Sequence, residues 1–104
     1  RALMGAVAAS HADFTWVTSD NPRSEDPMAI AGEILQGMQG CVRQCVVLER
    51  DLAIGQAVGT ARTEDVILIA GKGHETGQTI GDTVLPFDDV EQASVAVAAL
   101  EGRI

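Results

Sequence analysis

Val66-Ile67-Leu68-Ile69-Ala70 is an unbroken apolar run between Asp65 and Gly71, and no other stretch constrains the fold as much. Its length suits a strand. Its lack of alternation suits a strand buried on both faces, as in a parallel sheet. Phe14–Thr18 and Cys45–Leu48 also carry β-branched, aromatic or apolar residues in short runs and read as strands.

Helical patterns fill the intervals. Leu3–Ala9 reads as a helix ending near Ser10-His11. Ser24 is the expected cap of a second helix, with Glu25 and Asp26 in its first turn and Pro27 at a tolerated early position. Ile30, Ile34, Leu35 and Met38 recur there at helical spacing, and Gly37 and Gly40 mark the end. A third helix runs from Asp51 to about Ala61, with Ile54, Ala57, Val58 and Ala61 on one face. Gln78–Ile80 and Val84–Phe87, joined by Gly81-Asp82, form an expected hairpin. Asp88 or Asp89 then caps a last helix reaching Leu100.

Strands separated by helices predict an α/β domain of three layers with a mostly parallel sheet and a C-terminal hairpin. The opening helix has no strand before it, which a βα unit would supply. Residues 1–104 therefore read as one domain lacking its first strand, truncated on its N-terminal side.

Composition narrows the partners. Fifteen acidic residues against seven basic ones leave a net charge of −8, which disfavours nucleic acid and anionic membranes. The aromatics are Phe14, Trp16 and Phe87, too few for stacking on single-stranded bases. Cys41 and Cys45, with no histidine nearby, lack the spacing of a zinc site or of a redox pair, so reduced half-buried thiols are expected. No signal peptide, membrane span or lipidation motif occurs in these residues.

Two segments carry candidate chemistry. Asp20-Asn21-Pro22-Arg23 follows the first expected strand. The proline pushes Asn21 toward extended geometry, and the planar guanidinium suits a carboxylate or phosphate. Strand ends of this kind are where open α/β sheets bind ligands. Gly71-Lys72-Gly73-His74-Glu75 follows the run over 66–70. It is not a P-loop: Lys72 precedes glycine rather than Ser or Thr, and the first glycine would fall at Val66. Nor is it a dinucleotide fingerprint, since Gly77 comes one residue late and a hairpin follows. Together the segments could hold a zwitterion, with Arg23 on a carboxylate and Glu75 on an ammonium. The plainer alternatives are a surface ion pair of Arg23 with Glu25 or Asp26, and a local His74–Glu75 hydrogen bond.

The joint presence of these two segments resembles the C-terminal domain of the Mur ligases, in the branch that adds the third residue of the peptidoglycan stem peptide. Arg1-Ala2-Leu3-Met4-Gly5 is similar to the end of the family's Lys-Arg-x-Leu-Met-Gly stretch, and Gln78 with Phe87-Asp88-Asp89 to the region after its glycine loop. The resemblance implies a Rossmann-like domain that delivers the amino acid in a cytoplasmic, monomeric ligase. In that family ATP and Mg²⁺, held mainly by a central P-loop domain, activate a UDP-N-acetylmuramoyl dipeptide as an acyl phosphate. It implies that Asn21, Pro22, Arg23, Gly71 and Glu75 bind the incoming amino acid, with Asp20, Lys72 and His74 in support. It implies no catalytic residue and no metal ligand in this chain, which alone should be inactive. The Asn-Pro-Arg form is associated with meso-diaminopimelate, whose second carboxylate would answer Arg23. Gly77 stands where family members usually carry an aromatic residue. Other ligases of the superfamily (folylpolyglutamate synthetase, murein-peptide ligase) and a standalone small-molecule-binding module are the alternatives.

Overall fold

The computed structural model describes residues 1–72 and 75–101. The element order is α1 (Ala2–His11), β1 (Thr15–Val17), α2 (Pro27–Gln36), β2 (Gln44–Val46), α3 (Arg50–Thr60), β3 (Gly77–Ile80), β4 (Thr83–Pro86) and α4 (Asp89–Glu101). β1 and β2 pair in parallel with Trp16 opposite Cys45, and β3 and β4 form an antiparallel hairpin. This is the mixed α/β architecture expected from the alternating pattern, and the Rossmann-like one that the resemblance implies.

α1 and α2 cover one face of the parallel pair. Val17, Ala31 and Met38 are buried together there, with Ile34, Leu35, Val46 and Leu48 packed around them. The two helices approach to backbone contact at two glycines. A Cβ on Gly5 would overlap the Ile34 carbonyl, and one on Gly37 would overlap the Ala2 carbonyl. α3 buries Ala53, Ile54 and Val58 and packs against α4.

Helix α2 starts later than expected. Its N-cap is Asp26, whose Oδ1 accepts from the Met28 amide at 3.1 Å, and Pro27 is the first helical residue. Ser24 lies outside the helix because a turn, Glu25 N–H to Pro22 O at 2.9 Å, intervenes. At α4 the cap is Asp88, which accepts from the Val90 and Glu91 amides. The hairpin turns at Gly81, with φ +60. Cys41 and Cys45 are both free and half-buried, and burial pushes the Cys45 thiol above its ordinary value.

The run Val66–Ala70 departs from expectation. It forms no ladder with any described strand, and Val66 and Leu68 are 94% and 87% exposed. Ile67 and Ile69 instead turn toward Val90, Ala93 and Val97 of α4. That side lines an open cleft with α4 in which Ile67 stays 40% exposed, and the other side is open. Apolarity specifies burial, whereas a ladder needs a neighbour with a free edge. β1 directs its hydrogen bonds to the β2 side, through Thr15 N–H to Arg43 O and Val47 N–H to Val17 O. No described residue bridges from its other edge to 66–70.

Candidate functional site

Beyond β1 the chain is tied down residue by residue. The Ser19 amide donates to Leu48 O at 3.3 Å, still following β2. Asn21 then turns its side chain into the hairpin region: its Oδ1 accepts from the Thr79 amide at 2.7 Å, and its Nδ2 donates to Glu75 Oε2 at 3.3 Å. Pro22 is buried. Arg23 has φ +53, the one non-glycine residue of positive φ among those described. Such geometry costs roughly 1–2 kcal/mol and persists only where surroundings enforce it. Here the Arg23 amide donates to Thr79 O at 3.0 Å, and its carbonyl accepts from Gly81. The first segment is thereby strapped along β3, and the Arg23 side chain points outward, exposed.

Arg23 does not pair with either neighbouring acid. Glu25 is taken by Arg1, with Nη2–Oε1 at 2.6 Å and Nη1–Oε2 at 2.7 Å, and Arg1 also reaches Glu33 at 2.8 Å. That contact holds the Glu25 carboxyl below its usual range and the Arg1 guanidinium above its own. Asp26 caps α2. Among the described residues the Arg23 guanidinium has no hydrogen-bond partner.

The second segment meets the first directly. Gly71 has φ +106, a conformation that favours glycine, and lies against the Asp20 carboxylate. Lys72, the only lysine in the chain, is wholly buried and points inward. Its Nζ donates to Asp20 Oδ1 and to Gly77 O, both at 2.7 Å, and sits 5.8 Å from the centre of the Phe87 ring. A lysine so engaged is not presented to a phosphate. Glu75 is exposed and carries the Asn21 contact. His74 lies outside the described residues, as does Gly73.

Asn21, Arg23, Gly71, Lys72, Asp20 and Glu75 thus come together at one end of the domain. Two of their charges are neutralised internally, those of Lys72 and Asp20. Two face outward, those of Arg23 and Glu75.

Beneath them lies a pair that sequence reasoning missed. Arg50 and Asp89 are buried, 4% and 5% exposed. The contact is bidentate, with Nε–Oδ1 at 2.7 Å and Nη2–Oδ2 at 2.6 Å. Arg50 also donates to Ser19 O at 3.4 Å and Ala70 O at 3.1 Å. The Asp89 hydrogen bonds hold the guanidinium above its ordinary pKa despite burial. One signal was available: Arg50 opens α3 at a helix N-terminus, where the dipole disfavours a cation and a strong partner is needed.

Comparison with known proteins adds a lineage. Residues 1–73 match the family model described as Mur ligase, glutamate ligase domain. A relative from Syntrophomonas wolfei, named UDP-N-acetylmuramoyl-L-alanyl-D-glutamate--2,6-diaminopimelate ligase, is 49% identical over 106 aligned positions, all of this chain and 21% of its own length. A protein of the same name from Coxiella burnetii is 50% identical over 97 positions, 93% of this chain and 20% of its own. A solved structure titled as that ligase superposes with a TM-score of 0.90 at 38% identity, over 97% of this chain and 21% of the solved one. The chain therefore spans about a fifth of the length of the relatives it matches. By the extent of the family match, this chain belongs to the Mur ligases, through their glutamate ligase domain.

Proposed function

We propose that residues 1–104 are the amino-acid-delivering C-terminal domain of an ATP-dependent ligase. That enzyme joins meso-diaminopimelate to UDP-N-acetylmuramoyl-L-Ala-D-Glu in a bacterial cytoplasm. The observation that carries this reading is the convergence of Asn21 and Glu75, 54 residues apart in the chain, beside an outward Arg23. Diaminopimelate has a carboxylate and an ammonium on each end. Arg23 would take a carboxylate through its planar fork, and Glu75 an ammonium. Asn21 and Pro22 set the height of that fork, Gly71 brings the second loop against Asp20, and Asp20 with Lys72 braces the two.

Selection against lysine follows from the same groups. Lysine offers no carboxylate at its far end, so Arg23 would be desolvated without an answering charge. The domain's contribution to rate is positional: it holds the amine where the activated carboxyl arrives. Lys72 is committed to Asp20 and Gly77 and is not free to hold a phosphate of ATP. We assign ATP and Mg²⁺ mainly to the remainder of the ligase, and no step here runs through them. The reading also takes the ligase as a monomer. No helix among the described residues is long and apolar enough to cross a membrane.

The test is an assay of the full-length ligase containing this chain, with ATP, Mg²⁺ and the nucleotide dipeptide, offered meso-diaminopimelate or L-lysine. Turnover with diaminopimelate and little with lysine is expected. Equal use of both, or no amino-acid-dependent release of phosphate, overturns the reading. Residues 1–104 alone should give no turnover.

A further inference from the structure

The buried Arg50–Asp89 pair does more than neutralise two charges. Arg50 leads α3 and Asp89 leads α4, so the bidentate contact fastens two helix N-termini. The remaining donors of the same guanidinium reach two backbone carbonyls. Ser19 immediately precedes Asp20-Asn21-Pro22-Arg23, and Ala70 immediately precedes Gly71-Lys72. No ladder joins β1 to 66–70 among the described residues, so sheet hydrogen bonds do not set the spacing of these two chain ends. One planar side chain, its orientation locked by Asp89, reaches both.

We infer that Arg50 is a positioning residue that, beside the Asp20–Lys72 contact, sets the separation between the Asn21–Arg23 turn and the Gly71-Lys72 segment, with Asp89 fixing its orientation. The ion pair alone would not require this. A lysine could meet Asp89 as a point charge, but a single ammonium cannot present the fixed fork that serves a carboxylate and two carbonyls in different directions. The role therefore predicts a difference between charge and shape. Arg50→Lys keeps the charge opposite Asp89 and gives up the two carbonyl contacts. The double variant Arg50→Met with Asp89→Leu removes the pair without leaving an unpaired buried charge, a replacement that folds tolerate well.

The experiment uses the full-length ligase in both variant forms and has two arms. The first is amide hydrogen exchange, which does not depend on the substrate assignment. Faster exchange confined to residues 19–24, 70–72 and 75–77 is expected in both variants, with α1 and α2 protected as before. The second is steady-state kinetics, and it rests on the function proposed above. KM for meso-diaminopimelate should rise about tenfold or more, as misplacement of a binding group does, while KM for ATP and for the nucleotide dipeptide stays unchanged. Unchanged exchange in the two segments overturns the inference. So does exchange raised throughout the domain in both variants, which would make Arg50 a general stabiliser. So, too, does full recovery by Arg50→Lys, which would make charge alone sufficient. A wild-type ligase indifferent to meso-diaminopimelate would sink the functional reading, while the exchange arm still decides the role of Arg50.

Discussion

The side-chain amide of Asn21 is shared between the two halves of the candidate site: its oxygen accepts from the Thr79 amide and its nitrogen donates to Glu75. This orients the amide between the hairpin and Glu75. It also fixes where Arg23, two residues on, leaves the backbone. The left-handed φ of Arg23 is the local consequence, held by hydrogen bonds to Thr79 and Gly81.

Arg23 can accordingly be separated into backbone and side chain. Arg23→Gly should leave stability unchanged or raise it by up to about 1 kcal/mol, because glycine adopts positive φ without a Cβ penalty. It should nevertheless raise KM for meso-diaminopimelate far more than for lysine, as Arg23→Ala should. Urea midpoints and paired kinetics check both halves. Equal loss with the two amino acids would reduce Arg23 to a general anion contact.

Lys72→Met should destabilise the domain by about 2–3 kcal/mol, since it strands the partly buried Asp20 and unties Gly77. Adding Asp20→Asn should recover part of the loss. A midpoint indistinguishable from wild type in the single variant would contradict the structural role assigned to this lysine.

Gly5→Ala and Gly37→Ala should each cost about 1–3 kcal/mol or more, because the added methyl meets carbonyl oxygen of the facing helix rather than a side chain that can swing away. Gly32→Ala is the control: nothing lies within 4 Å of a Cβ there, and a helical alanine should stabilise. Thermal unfolding of the three variants gives the comparison. Equal effects at Gly5 and Gly32 would refute close packing of α1 on α2.

Acid should weaken the Arg1–Glu25 contact in a defined direction. The hydrogen bonds from Arg1 hold the Glu25 carboxyl below its ordinary value of 4.5. Its contribution is therefore present above that ordinary value and lost as pH falls through the lowered one. Both side chains are substantially exposed, so the effect is small and weakens further with salt. Glu25→Gln should flatten the corresponding part of a stability profile taken from pH 6 to pH 3. A profile of unchanged slope would show the pair to be inert.

Much of this was legible locally. The helix pattern around Ile34 and Leu35, the hairpin turn at Gly81 and the rigid turn at Pro22 depend on residues close in sequence. The sequence points to Ser24 as the cap of α2 and the structure to Asp26, because both side chains can cap and only the turn at Pro22–Glu25 decides between them. The apolar side chains of Val66–Ala70 predict a doubly buried strand. Pairing, however, is a property of its neighbours.

Propensity, capping and turn geometry act over a few residues, so the helices, β1, β2, the hairpin and the two segments that carry polar chemistry follow from sequence alone, whereas the pairing of 66–70 does not. The sequence could not assign a task to each cation. Arg23, Arg50 and Lys72 all stand near the expected ends of strands, yet one faces outward, one spans two carbonyls and a carboxylate, and one is sealed under Phe87. That division rests on contacts such as Arg50 with Asp89 and Lys72 with Asp20, 39 and 52 residues apart. Burial makes an unpaired charge intolerable, and only the packed chain decides which acid is within reach.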